Sequence, residues 1–134
     1  MNENEAMKNK LRKITINNNE YLYNVTDQFH SETETNTLTV KIFLSGKKKT
    51  PLIITFLTDD DYMMGQPLKS GVKLTNKMTG SEDEVNLNEP KYIKKFILLG
   101  LEKGWSGSNS IEIQNGLHYL NELGFETDKL TPGK

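Results

Sequence analysis

Apolar positions fall into their clearest pattern between residues 88 and 105, Asn88-Glu-Pro-Lys-Tyr-Ile-Lys-Lys-Phe-Ile-Leu-Leu-Gly-Leu-Glu-Lys-Gly-Trp105. Ile93, Phe96, Ile97, Gly100 and Leu101 repeat at i, i+3, i+4, i+7 and i+8, the spacing of one face of an α-helix. Tyr92 and Leu99 widen the stripe, and Lys91, Lys94, Lys95 and Lys103 fall mostly outside it. Asn88 is expected to cap the first turn. Glu89 sets a negative charge at the positive end of the helix dipole. Pro90 fits the first turn, where an N–H is not needed, and Gly104 is the expected stop. The pattern predicts a helix over about 89–103. Burying Tyr92, Ile93, Phe96, Ile97 and Leu101 would contribute about 1.5–3 kcal/mol each. That face needs a partner layer, and the rest of the chain reads as a sheet.

Before the helix the period is two. Leu11, Ile14 and Ile16 open a strand, Asn17-Asn18-Asn19 reads as a turn, and Glu20–Thr26 returns with Tyr21, Tyr23 and Val25 on one face. Asp27–Asn36 is polar and reads as a loop. Thr37–Ser45 alternates Leu38, Val40, Ile42 and Leu44 against Thr39, Lys41 and Phe43. Leu52–Thr58 is almost continuously apolar, which predicts a strand near the sheet centre with both faces covered. Residues 59–67 read as loop. Val72–Lys77 and Glu84–Leu87 suggest a thin third hairpin, at an edge or protruding. Past Trp105, Ile111–Ile113 is a short strand or a helix entry. Gln114–Leu123 predicts a second helix with Leu117, Leu120 and Leu123 on one side, weakened by Gly116 by about 1 kcal/mol. Strands followed by helices predict an α+β fold, an antiparallel sheet of about five to six strands packed by one long helix (about 89–103) and a shorter one (about 114–123). Residues 10–125 form the expected single domain, with flexible segments at 1–9 and 126–134.

Composition narrows the chemistry. A length of 134 residues fits one domain with a modest core. A net charge of −1 gives no long-range field for nucleic acid or an anionic membrane, so neither is expected as a partner. Zero cysteines exclude disulfides, thiolate metal sites and a cysteine nucleophile. The first residues lack the apolar stretch of a signal peptide, and no apolar run approaches the length of a membrane span, so a cytoplasmic chain is expected.

No motif specifies an activity. His30 and His118 have no second ligand at metal spacing. Asp59-Asp60-Asp61 has the oxygens a calcium or magnesium ion wants, but not the alternating ligands and distal Glu of a calcium loop, and solvated loop charges explain it as well. Lys47-Lys48-Lys49 reads as a hairpin tip. Ser106-Gly107-Ser108 follows a helix, the wrong context for a phosphate loop, and Gly104-Trp-Ser-Gly107 is one residue short of a nucleophile elbow. Trp105 is expected to fold back over the helix end, with an exposed aromatic anchor as the functional alternative. No catalytic residue, cofactor or metal is expected.

Asn17-Asn-Asn-Glu-Tyr-Leu-Tyr23, and Pro90 followed by Ile-Leu-Leu-Gly-Leu-Glu-Lys-Gly-Trp105, resemble a widespread group of small bacterial proteins of unknown function with a β-rich front half and a helix ending in Gly-Trp. The size and the missing active site also resemble immunity proteins encoded beside toxins. These likenesses imply architecture and a binding role, with no catalytic residues. The expected function is a non-enzymatic, immunity-type inhibitor or adaptor that covers the surface of another protein, such as a toxin. The residues expected to meet it are Asp59, Asp60, Asp61, Tyr62, Glu32, Glu34 and Trp105. The rival is a small-ligand or enzymatic domain whose pocket lies between sheet and long helix, near Tyr92, Trp105 and Met63-Met64.

Overall fold

Asn17 and Asn18 both take positive φ, 51° and 68°, the pair of left-handed residues a two-residue hairpin turn requires. They join β1 (Arg12–Ile16) to β2 (Asn19–His30), with Ile16 opposite Asn19. The computed structural model describes residues 11–133, so the expected flexible segment 1–9 lies outside the described residues. β2 does not end at Thr26. It continues through Asp27–His30, which the polar composition assigned to a loop, because its ladder with β3 (Thr35–Leu44) runs unbroken to the pair His30–Thr35. The connection shrinks to residues 31–34, closed by Glu34 at φ 55°.

β3 is the middle strand of a five-stranded sheet ordered β1-β2-β3-β4-β7, where β4 is Leu52–Asp59 and β7 is the two-residue strand Gln114–Asn115. All neighbours are antiparallel except β7, which pairs parallel with Ile54 and Thr55. The fold is therefore α+β with a mostly antiparallel sheet. β4 is covered on one face only. Leu52, Ile54, Phe56 and Thr58 are buried, while Leu57 on the other face is 47% exposed. β5 (Val72–Thr75) and β6 (Glu82–Val85) form a separate two-stranded ribbon that never joins the main sheet. Between β4 and β5 the expected loop contains a single helical turn, α1 (Pro67–Ser70), capped by the Gln66 side chain.

The helix α2 (Pro90–Glu102) lays Tyr92, Ile93, Phe96, Ile97 and Gly100 into the core. Leu101, expected at full burial, is half-buried. Asn88 does not cap the helix. The cap position is Glu89, whose side chain makes no capping bond. Asn88 is held one residue early by a local turn in which its N–H donates to Asn86 Oδ1 at 2.9 Å, while Leu87 N–H is tied to Leu68 C=O. The other end follows the pattern. Gly104, at φ 107°, donates its N–H to Leu101 C=O, and Trp105 N–H reaches back to Gly100 C=O.

The second helix is shorter than expected, α3 (Gly116–Glu122), with Asn115 accepting the N–H groups of Leu117 and His118. Its buried face is Gly116, Tyr119 and Leu120, rather than a stripe of three leucines. Residues 126–133, read as loose, return to the body: Glu126 N–H donates to Thr75 C=O, a 3-10 turn spans Asp128–Leu130, and Leu130 is buried in the core.

Candidate functional site

The ends of β2 and β4 bring four of the expected residues together. Glu34, Asp59, Asp60 and Tyr62 line one cleft of about 380 Å³ with Phe29 and Thr33. Glu32 lies exposed in the same 31–34 turn. The apolar part is open to solvent: Tyr62 is 98% exposed, Met63 82%, Met64 56% and Phe29 52%. Among the described residues the side chains of Glu32, Glu34 and Asp59 take part in no ion pair or side-chain hydrogen bond. The cleft thus sets carboxylates that form no ion pair among the described residues beside exposed aromatic side chains, and Met63 and Met64 follow Tyr62 in the same exposed loop.

The three adjacent aspartates divide their work. Asp61 is structural: its Oδ1 accepts the N–H groups of Met63 and Met64 at 2.8 and 2.9 Å, and its backbone pairs with Gly65. This turn is what thrusts Tyr62 and Met63 outward. Asp60 anchors the loop: its N–H donates to Glu34 C=O, and its Oδ1 accepts from Asn36 Nδ2 at 3.0 Å. Of the three, Asp59 alone has a side chain with no hydrogen bond or ion pair among the described residues.

Beneath the cleft lies a buried polar network absent from the sequence reading. Asn36 donates to Asp60 and, at 3.3 Å, to Asp27 Oδ2, and its Oδ1 accepts from Gln66 Nε2 at 3.0 Å. Gln66 Oε1 in turn accepts from Thr58 Oγ1 and Leu68 N–H. Lys69 closes the chain with a 2.8 Å bond to Asp27. That bond, helped by Asn36, holds the Asp27 carboxyl below its ordinary value of 3.8 against the opposing pull of burial. Phe29, one large apolar residue in an otherwise polar stretch, hinted at the strand but not at the network.

Trp105 does not belong to this surface. It is 1% exposed, tilts against Tyr21 at 5.9 Å between centroids and donates Nε1–H to Thr50 C=O at 3.0 Å. The helix stop turns it inward, as the core reading expected. His30 bonds Thr37 Oγ1 at 2.7 Å, and no group of three or more His, Cys, Asp or Glu residues suited to a metal occurs among the described residues. Lys47, Lys48 and Lys49 border a separate cleft with Ser108. Lys91 and Lys95 of α2 share theirs with Glu82, Asp83, Glu84 and Glu89, so the helix lysines make no basic surface there.

The residues of the rival pocket are not assembled. Tyr92 is buried with its hydroxyl donating to Glu84 C=O, Trp105 packs near Thr50, and Met63-Met64 project from the acidic loop. Tyr92, Ile93, Phe96 and Ile97, each at most 2% exposed, fill the space between α2 and the sheet. No helix among the described residues is long and apolar enough to cross a membrane. Comparison with protein-family models, with curated proteins and with solved structures finds no match for this chain.

Proposed function

We propose that this protein is a non-enzymatic binding protein, an immunity-type inhibitor or adaptor, that covers a basic surface of a partner protein with the 29–34 and 59–64 end of its sheet. The supporting observation is the juxtaposition of Glu34 and Asp59, which form no ion pair among the described residues, with an almost fully exposed Tyr62 beside Met63. Aromatic and methionine side chains contribute much of the energy at the centre of an interface, and surrounding charge sets specificity and encounter rate. A basic target, such as a nuclease toxin, is the complement of this end.

A photo-crosslinking residue placed at Tyr62, and separately at Lys94 on α2 as a control, tests the reading in host cell extract. The expected result is one discrete adduct from position 62 that is absent from position 94. Wild-type protein should compete for it, and the double variant Asp59→Asn with Glu34→Gln should compete at least about tenfold less well. An adduct formed equally from both positions, or competed equally by the variant, would reject the proposal.

A further inference from the structure

We infer that the edge of β2 facing away from β3, from Val25 to Phe29, receives an extended basic segment of the partner as an added strand; the inference rests on the proposed function and specifies its docking mode. Backbone parity supplies the first argument. Ser45 N–H donates to Glu20 C=O at 2.9 Å, so even-numbered residues of β2 turn their backbone groups toward β3 and odd-numbered ones turn them away. β1 satisfies the odd residues only as far as Tyr23, which pairs with Arg12. Among the described residues, the N–H and C=O groups of Val25, Asp27 and Phe29 have no backbone partner. Yet the strand stays regular to His30.

Exposure supplies the second argument. Thr26, Asp27, Gln28 and Phe29 are all exposed, so both sides of the edge are accessible. Unpaired strand edges recruit other strands, and proteins blunt them with prolines, bulges or charges. Here there is no proline and no bulge, only Asp27, a carboxylate on the helix-facing side of the edge. Its carboxylate is already bonded to Lys69 at 2.8 Å, so the basic character of the incoming segment is matched by Glu34 and Asp59 beyond the end of the edge. Phe29 belongs to the edge and also lines the acidic cleft, so a strand added there leads directly to Glu34, Asp59 and Asp60. Main-chain bonds would give affinity, and alternate side chains the choice of partner.

The probe is a capped nine-residue peptide of alternating valine and lysine, with a block-sequence peptide of the same composition as control, read by amide hydrogen exchange on the full chain at low salt. The alternating peptide should slow exchange at Val25, Asp27 and Phe29 by about tenfold or more and leave Thr26 and Gln28, already bonded to β3, unchanged. The block peptide should not protect the three amides. Absence of any effect at about 1 mM peptide overturns the inference. So does protection at Leu57 and Asp59 on the opposite edge, or protection of the three amides in the free protein.

Asp27→Pro removes an outward N–H without breaking the β2–β3 ladder, whereas Asp27→Asn keeps it. Peptide protection should be lost in the first and retained in the second. If Asp27→Pro keeps wild-type cross-linking through position 62, strand addition is wrong and the proposed function stands. If position 62 never cross-links specifically, the proposed function falls, whatever the peptide does.

Discussion

Asn36 gives both amide hydrogens to carboxylates on different strands and loops, and so fixes where the acidic end sits. Asp27, its partner on β2, is the residue whose titration reports on this arrangement. Its folded-state pKa lies below the ordinary 3.8, chiefly through the hydrogen bond from Lys69. A depressed carboxyl pKa contributes stability above the unfolded value and loses it as pH falls through the folded one. Lys69→Met should therefore raise the Asp27 pKa, seen by NMR of its carboxyl carbon. The urea midpoint of the variant should fall below wild type at about pH 7, and the gap should close as pH falls through the lowered folded pKa of Asp27. A gap that persists there would assign the loss to packing of the lysine stem. None of this network was legible from sequence. Asn36 and Gln66 are 30 positions apart, and nothing in a polar stretch marks which amide is buried.

Gly116 shows how an element can be misjudged by propensity. The sequence reading counted it against α3, as a residue that weakens helices. In the fold it is the first residue of α3, and the Phe56 ring packs where a Cβ would stand. It is there for close approach of helix and sheet. Gly116→Ala should destabilise by about 1–3 kcal/mol despite alanine's better propensity, because overpacking a filled site forces Phe56 off its rotamer. Equilibrium urea unfolding decides it, and an unchanged or raised midpoint would show that the ring yields without cost. The long helix was legible because its burial is periodic: the stripe Tyr92, Ile93, Phe96, Ile97 and the glycine stop all appear where the spacing put them. The second half of β2 was not, because no core layer buries one of its faces; among the described residues, only Lys69 of α1 reaches it, at Asp27. With Thr26 to Phe29 all exposed, no alternation betrays a strand. Its β structure is imposed by the ladder with β3. The same lack of covering layer makes this stretch both hard to read and open to a partner.

For the whole molecule, a net charge of −1 conceals a separation of charge along β3. Its start adjoins the acidic turns of residues 31–34 and 59–61, and its end leads into Lys47, Lys48 and Lys49. The strand has 10 residues, which at about 3.3 Å each set the two groups about 30 Å apart. Fields from exposed charges die over about 8 Å at 0.15 M salt and about 30 Å at 0.01 M. The lysines therefore oppose the approach of a basic partner only at low ionic strength. Changing all three to Gln should accelerate association with the protein cross-linked through position 62 at about 0.01 M salt and leave the rate unchanged at about 0.15 M. Asp59→Asn with Glu34→Gln should slow association at both, more at low salt, because those side chains lie at the contact itself. Stopped-flow mixing at the two salt concentrations separates the cases. If the lysine variant altered the rate equally at both, the basic tip would itself be touching the partner, and the docking surface would have to extend to the far end of the sheet.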